Sequence, residues 1–409
     1  MHGFLSHDWA GLAMAAGVAV IAVALFIALR PRWPATVGGL LALAMAGGSI
    51  VHLLQVRAVD AEFPPPGTFV EVDGQQLHVL AEGPVNDGPT IVLFGGGHAP
   101  GTSMMFLHDA LKEDYRSVLI DRPGMGWSGP ASFPVSTHRE ASQIWRALDQ
   151  VGVEGPIMLA GHSFGGLLAA NMARLRPQAV HALVAMDPTP PDVILYGPRL
   201  DELSSLSSDP WWNGFFRLFA LDYQALKGAE EEPEYYRMLE EKIAATMGPA
   251  YEIQKAYATR PRAHMAAHSI FKELTPQGMA MVGYETGFFT GELGEVPLFL
   301  FAPQNQVGME EVTAFQDAEQ REAMRLQRLY SVMRERFLDY SNNSTRIVAP
   351  EGSGHNFLYE LPDYTIDILE QIAAGTYGEV EESPSEATAT AENLEVAEAS
   401  EVAETNLSE

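Results

Sequence analysis

The 409-residue chain has no cysteine. It therefore cannot form disulfides, hold zinc through thiolates or use a thiolate as a nucleophile. The chain is also poor in positive charge, with 25 Lys and Arg against 53 Asp and Glu and a formal net charge of −28. Because nucleic-acid binding requires clustered Lys and Arg against phosphates, we expect no nucleic-acid partner.

Charge is distributed unevenly along the chain. Residues 1–60 carry only five charged side chains, namely Asp8, Arg30, Arg32, Arg57 and Asp60. Residues 378–409 contain ten Glu and neither Lys nor Arg. A segment so acidic and so poor in large apolar side chains cannot bury enough surface to fold, so we predict a disordered acidic tail over 378–409.

Two long apolar runs occupy the N-terminal segment. Residues 9–29 are 21 consecutive positions without charge, and a helix of that length matches a hydrocarbon core of about 30 Å. The second run, 35–54, is rich in Gly and Ala, which favour close packing against a neighbouring helix. We predict a membrane anchor over 1–60 with transmembrane helices at about 9–29 and 35–54.

The loop between the two runs indicates an orientation. It carries Arg30 and Arg32, and positively charged loops tend to face the cytoplasm. We therefore expect the remainder of the chain on the extracytoplasmic side. A signal peptide and a buried helical hairpin of a soluble protein are the competing interpretations of the two runs.

After a proline-rich linker at 61–67, short β-rich runs alternate with helical stretches, which is typical of α/β architecture. A helical segment at about 188–294 interrupts this alternation. Helical insertions between parallel strands lie at the carboxyl ends of the strands, where α/β sheets bind ligands, so we expect this segment to act as a lid. The predicted strands are 68–72, 77–81, 90–94, 117–120, 156–160, 182–186, 296–301 and 345–349.

Residues 161–165 read Gly-His-Ser-Phe-Gly and match the pattern G-x-S-x-G. A predicted strand ends just before this motif and a predicted helix begins at Phe164. Strand, tight turn and helix together form a nucleophile elbow, which exposes the Ser163 hydroxyl at the top of the sheet. A neutral hydroxyl needs a base to remove its proton, and His355 follows the last predicted strand in a loop at the same edge. We predict Ser163 as nucleophile and His355 as general base.

These motifs resemble those of the α/β-hydrolase superfamily, in particular its lidded serine-hydrolase branch of proline iminopeptidases, esterases and lipases. The resemblance covers about 68–375 and rests on four motifs: Gly-Gly-Gly at 95–97, Asp-Arg-Pro-Gly-Met-Gly-Trp-Ser at 121–128, the elbow at 161–166 and Gly354-His355. It implies a hydrolase domain over 68–377, with a mostly parallel eight-stranded sheet, helices on both faces and a helical lid.

The same resemblance implies an oxyanion hole formed by the backbone N–H of Phe164 and one from Gly96 or Gly97. Such fixed donors stabilise charge that develops only in the transition state. No cofactor and no metal is expected. A serine at the elbow is unlike the aspartate nucleophile of the family's epoxide hydrolases and dehalogenases.

The acidic member of the triad has several candidates. The family commonly places it after the strand at 296–301, where this chain has Asn305, and Asn cannot stabilise an imidazolium as a carboxylate does. Some members use the loop after the preceding strand, where Asp187 lies. We favour Asp187, with Glu310 and an acid-free or Asn-supported site as alternatives.

Two functions follow from these residues. The first is a membrane-anchored serine hydrolase that cleaves an ester, amide or peptide-like bond of a small and apolar substrate. Acyl transfer would use the same residues. The alternative is a catalytically inactive binding or scaffold protein of the same fold at the membrane. The sequence leaves the substrate and the oligomeric state open.

Overall fold

The computed structural model describes residues 1–97, 99–191, 200–228, 234–273, 288–304 and 318–378. Two candidates for the triad acid, Asn305 and Glu310, lie outside these residues. So does the predicted acidic tail after Gly378.

The chain begins with a helical hairpin. A short helix, α1 (His2–Leu5), precedes α2 (Ala10–Ala28) and α3 (Trp33–Glu62), which pack against each other. Most of the buried positions of the two long helices carry small side chains, and five of these are spaced one heptad apart: Ala15 and Ala22 on α2, and Ala35, Ala42 and Ser49 on α3. Small residues on facing stripes let two helices approach closely in an apolar environment.

Helices α2 and α3 are each long and apolar enough to cross a membrane, as judged by length and composition. Helix α3 is longer than the predicted span of 35–54, and its last turn includes Ala61 and Glu62 of the predicted linker. The reason is local: residues 55–63 contain neither Pro nor Gly, so nothing interrupts the helix before Pro64.

Eight strands form one sheet within the described ranges, in the order β1-β2-β4-β3-β5-β6-β7-β8. Strands β1 and β2 pair antiparallel, as do β2 and β4, and all other pairs are parallel. The predicted fold class, a mostly parallel eight-stranded α/β sheet, is confirmed. The strands are β1 (Thr68–Val72), β2 (Gln75–Glu82), β3 (Thr90–Phe94), β4 (Ser117–Ile120), β5 (Ile157–His162), β6 (Val180–Met186), β7 (Leu298–Pro303) and β8 (Ser344–Ala349).

Helices connect the strands and fill the insertion between β6 and β7. Before the insertion lie α4 (Met105–Leu111), α5 (Thr137–Gln150) and α6 (Phe164–Leu175). The insertion contains α7 (Leu200–Arg217), α8 (Tyr223–Lys227), α9 (Glu234–Met247), α10 (Pro249–Ala258) and α11 (Pro261–Glu273). After β7 come α12 (Ala318–Glu335), α13 (Phe357–Glu360) and α14 (Pro362–Ala374).

The hydrophobic core has two layers, one on each face of the sheet. Successive side chains of a strand point to opposite faces, so neighbouring residues of β3 enter different layers. Val92 packs in the layer that contains Ile144 of α5 and Leu168 of α6. Ile91 packs in the layer that contains Leu107 of α4 and Leu369 of α14. Burial on both faces accounts for the uninterrupted apolar runs of these strands.

The parallel strands bring the loops that follow them to one edge of the sheet. Phe94 pairs with Gly161, His162 with Met186, and Pro303 with Ala349, so β3, β5, β6, β7 and β8 end side by side. The loops that follow β3, β5, β6 and β8 carry the residues that the sequence singles out for chemistry. The helical insertion leaves the sheet from this same edge.

The buried face of α6 supports the turn before it, and we predict that truncating it is costly. Leu168→Ala removes a fully buried side chain, and we expect the free energy of unfolding to fall by about 2–5 kcal/mol. Leu175→Ala on the same helix is the matched control, because that side chain is 36% exposed. Denaturant unfolding of the detergent-solubilised protein measures both, and equal losses would contradict this description of the core.

Candidate active site

Ser163 lies on a sharp turn between β5 and α6. Its φ and ψ angles are 54° and −120°, a conformation that non-glycine residues rarely adopt and that surrounding structure must hold in place. The backbone N–H of Ser163 donates to Met186 O at 2.9 Å, and Ser163 O accepts from the N–H groups of Gly166 at 3.0 Å and Thr189 at 2.9 Å. The loop after β6 therefore helps to fix the turn.

The main chain after β3 lies directly against Ser163. A Cβ atom at Gly96 would lie 2.9 Å from the Cβ atom of Ser163, so only glycine allows this approach. Phe164 is the first residue of α6, and the first N–H groups of a helix have no acceptor within it. The start of α6 and a closely packed glycine loop therefore lie on either side of Ser163.

The next residue, Gly97, is held from the other side of the loop. Its carbonyl oxygen accepts a hydrogen bond from the guanidinium of Arg122, which is buried. Arg122 belongs to the Asp-Arg-Pro-Gly motif at 121–128, whose Asp121 in turn accepts from the N–H groups of Gly101 and Trp127. This motif therefore supports the loop after β3 structurally.

Asp187 and His355 are joined by a hydrogen bond, although they lie far apart in the sequence. His355 Nδ1 lies 2.6 Å from Asp187 Oδ2. Asp187 directly follows β6 and is 3% exposed, whereas the His355 side chain, in the loop between β8 and α13, is 43% exposed. A buried carboxylate at one ring nitrogen orients the imidazole and fixes which nitrogen carries the proton.

A buried arginine holds the other oxygen of Asp187. Arg334 of α12 donates from Nη1 to Asp187 Oδ1 at 2.7 Å and from Nη2 to Pro303 O at 3.0 Å. Burial alone would raise the pKa of Asp187, but the His355 hydrogen bond and the charges of His355 and Arg334 outweigh it and keep the pKa below the usual range. Asp187 is therefore ionised at neutral pH.

His162, the residue before Ser163, packs against the imidazole of His355 with ring centroids 4.7 Å apart. Its Nε2 lies 2.8 Å from His355 O and must be the donor, because a carbonyl oxygen only accepts. Burial, and then the charge of His355, lower the pKa of His162 to about 3. His162 is thus a neutral support that links the elbow to the His355 loop.

Two hydroxyl groups lie in or next to the loop that contacts Ser163, among the residues that the structure describes. The Oγ atoms of Ser163 and Thr189 are 3.4 Å apart, and Tyr330 donates to Pro188 O at 3.4 Å. Burial, followed by the nearby charge of Asp187, raises the pKa of Tyr330. Thr189 and Tyr330 therefore provide neutral, protonated groups beside the elbow.

The structure brings together most of the residues proposed from the sequence. Ser163, Phe164 and Gly96 lie at the elbow, and Asp187 bonds to His355, whose ring packs on the neighbour of Ser163. Asn305 and Glu310 lie outside the described residues. Arg334, His162 and Thr189 were not identified as supporting residues from the sequence. Their positions in the sequence show no pattern that sets them apart from neighbouring residues of the same type.

One cluster outside this site resembles a metal site. Ligand atoms of Glu82, His108 and Asp109 lie within 4.8 Å of one another. The Lys112 ammonium group already lies 2.9 Å from Glu82 and 2.7 Å from Asp109. The cluster is therefore an ion-pair network whose cation is a lysine.

Known proteins support the assignment of the fold. Residues 89–256 match the family model described as the alpha/beta hydrolase fold. A Pseudomonas aeruginosa protein assigned as a hydrolytic enzyme superposes with a TM-score of 0.51 at 20% identity, over 76% of this chain and 95% of its own. A variant of a P. aeruginosa protein assigned as an epoxide hydrolase gives 0.50 at 19% identity, over 76% and 97%. These matches and the eight-stranded, mostly parallel sheet show that the chain has the α/β-hydrolase fold.

Similarity to curated relatives is confined to part of each protein. The lipase LipV of Mycobacterium tuberculosis is 39% identical over 129 residues, which are 31% of this chain and 46% of the lipase. The uncharacterized protein YbdG of Bacillus subtilis is 29% identical over 138 residues, 34% of this chain and 42% of that protein. The chain thus spans less than half the length of the curated relatives it matches.

The buried state of His162 predicts a pH dependence of stability. The unfolded chain binds a proton at His162 near pH 6.5, whereas the folded chain does so only near pH 3, so folding loses stability as the pH falls between these values. His162→Gln lacks this contribution. As the pH falls, we therefore expect its free energy of unfolding to decrease less steeply than that of wild type, and the two slopes to differ by up to about 1.4 kcal/mol per pH unit. Denaturant unfolding at pH 7, 6 and 5 measures the slopes, and parallel slopes would contradict the buried neutral imidazole.

Proposed function

We propose that the chain is a membrane-anchored serine hydrolase that cleaves an ester, amide or peptide-like bond. The observation that carries the proposal is the 2.6 Å hydrogen bond between Asp187 and His355 at the sheet edge where Ser163 lies on a strained turn. The match of residues 89–256 to the alpha/beta hydrolase fold model and the similarity of part of the chain to a lipase favour hydrolysis as the reaction.

In the proposed mechanism Ser163 Oγ attacks the carbonyl carbon of the substrate, and His355 Nε2 takes the hydroxyl proton. His355 then donates that proton to the leaving alcohol or amine as its bond to the carbonyl carbon breaks. Water attacks the resulting acyl-enzyme, with His355 again as base, and releases the acid together with the free serine. Acyl transfer differs only in that an alcohol or amine takes the place of water.

The negative charge of each tetrahedral intermediate needs fixed donors. The backbone N–H of Phe164 at the start of α6, with one from Gly96 or Gly97, would supply them. Because these groups belong to the main chain and are already oriented, they need no reorganisation when the charge develops.

Asp187 would stabilise the imidazolium form of His355. Its carboxylate is buried and ionised, and Arg334 fixes its orientation through the second oxygen. The bond to Nδ1 leaves Nε2 of His355 unprotonated and ready to accept the serine proton. With Asp187 as the acid of the triad, the proposed mechanism needs no carboxylate at position 305, where this chain has Asn.

The comparison with a protein assigned as an epoxide hydrolase concerns the fold alone, because identity to it is only 19%. The elbow of this chain presents Ser163, whose hydroxyl suits acyl chemistry. A binding or scaffold function without turnover remains the alternative, and it predicts an unreactive serine.

The anchor belongs to the same proposal. Helices α2 and α3 are suited to cross a bilayer by length and composition. The turn between them carries Arg30 and Arg32, which favours a cytoplasmic turn and an extracytoplasmic hydrolase domain.

The first test is covalent labelling of the purified, detergent-solubilised protein with a fluorophosphonate, located by mass spectrometry. We expect one adduct on Ser163 and none in Ser163→Ala. In His355→Ala we expect the labelling rate to fall by several orders of magnitude, because the hydroxyl has lost its base.

Ser204→Ala is the matched control for loss of a serine hydroxyl elsewhere in the chain. It should label at the wild-type rate. Folded wild-type protein that does not label, or that labels equally in Ser163→Ala, would favour the scaffold alternative.

A further inference from the structure

The helical insertion is fastened to the membrane hairpin by close backbone contact. A Cβ atom at Gly11 of α2 would overlap the Ser49 hydroxyl and lie 2.5 Å from the carbonyl oxygen of Leu218, which follows α7. A Cβ atom at Gly48 of α3 would likewise overlap the carbonyl oxygen of Phe219. The segment after α7 therefore rests on both hairpin helices.

Apolar packing extends this contact. Leu218 is fully buried, and with Phe219 it joins a cluster that includes Leu5, Ala10 and Met265. Trp211 and Phe215 of α7 pack against the same cluster. The cluster thus contains side chains from the start of α2 and from two helices of the insertion, α7 and α11.

A network of charged and polar side chains also connects the insertion to the hairpin. Arg260, which is 3% exposed, lies between Asp8 at 3.5 Å and Asp60 at 2.5 Å. Asp8 also bonds to His52 Nε2 at 3.1 Å. These groups join the segment before α2, the second half of α3 and the segment between α10 and α11. They therefore fix the position of the insertion along the axis of the hairpin.

The contact at Gly11 lies close to one end of the predicted transmembrane span 9–29. Gly11 is near the beginning of α2, and the 9–29 run is about as long as the hydrocarbon core is thick. Leu218 lies at the end of the hairpin opposite the Arg30–Arg32 turn. With α2 and α3 across a bilayer, the residues next to Leu218 in the insertion would lie near the level of the headgroups.

Five aromatic and aliphatic residues there, three exposed and two (Phe216 and Tyr223) half-buried, are here called the insertion patch: Trp212, Phe216, Leu221, Tyr223 and Leu226. Trp212 is 41% exposed, Leu221 44% and Leu226 61%. The Tyr223 ring stacks on Phe216 at 5.6 Å and on Trp212 at 6.2 Å. Trp and Tyr beside aliphatic residues are typical of surfaces at the membrane–water interface.

We propose that the insertion patch lies in the headgroup region of the same bilayer that holds the hairpin. The patch continues the surface on which the hairpin and the insertion already meet, and its composition matches that depth. The helical insertion above the Ser163 edge would then rest directly on the lipid. This inference depends on the proposed anchoring by α2 and α3, although not on the chemistry of Ser163.

The absence of cysteine from the chain permits a direct test, because a single introduced cysteine is the only site for a thiol-reactive label. Leu221→Cys and Leu226→Cys report on the patch. Val20→Cys, 70% exposed on α2, reports on the hairpin, and Val85→Cys, 86% exposed in the loop between β2 and β3, is the control in water. Each full-length variant carries an environment-sensitive fluorophore and is reconstituted into phosphatidylcholine vesicles.

Quenching by spin labels placed at two depths distinguishes the outcomes. We expect a headgroup spin label to remove most of the fluorescence at residues 221 and 226 and little at 85, and an acyl-chain spin label to quench residue 20. Patch labels that respond like residue 85, with residue 20 quenched, would overturn the proposal and leave the anchor intact. An unquenched residue 20 would refute the anchor itself. Patch labels shielded from both lipid quenchers and aqueous iodide would identify a protein surface, from a second copy or another part of this chain, as the occupant.

Discussion

The carboxylate of Asp187 connects three parts of the chain that are distant in sequence. One oxygen accepts from His355 and the other from Arg334, so the end of β6 is tied to the loop after β8 and to α12. The backbone N–H of Asp187 donates to Phe301 O at 2.8 Å, which ties it to β7 as well. The geometry of the candidate site depends on this one buried group.

A buried carboxylate is costly unless it is paired and hydrogen-bonded. Asp187 meets this requirement with a permanent cation on one side and an imidazole on the other, and the pKa of the carboxyl stays low despite burial. The guanidinium of an arginine is always charged in proteins, so Asp187 has a cationic partner in Arg334 that does not depend on the state of His355. His355 is thus held beside a constant negative charge, which favours the imidazolium that proton transfer from Ser163 would create.

Much of this arrangement is predictable from sequence because it follows from local patterns. Apolar runs bounded by turn residues predicted the strands, and G-x-S-x-G between a strand and a helix predicted a turn at Ser163. Asp187 could be proposed because some members of the family that the sequence resembles place the acid after this strand. Its choice over Asn305 or Glu310 could not be derived, since the partner of His355 is set by the relative placement of separate loops.

Other features depend on contacts that no local pattern encodes. Arg334 lies in a charged helix where several arginines look equivalent, and only its burial against Asp187 distinguishes it. The docking of the insertion on the hairpin requires backbone contacts at Gly11 and Gly48, residues that in sequence merely indicate helix packing. The extension of α3 to Glu62 was also not predicted, because the apolar pattern ends before the helix does.

A double-mutant cycle on the rate of fluorophosphonate labelling tests most directly whether Asp187 and His355 act as one unit with Ser163. Asp187→Asn, His355→Ala and the double variant are compared with wild type, and denaturant unfolding verifies that each is folded. We expect Asp187→Asn to slow labelling by up to about 10⁴-fold, and the double variant to be no slower than His355→Ala alone. The account would be contradicted if the labelling rate of the double variant fell by the product of the two single-variant factors. It would also be contradicted if Asp187→Asn labelled as fast as wild type.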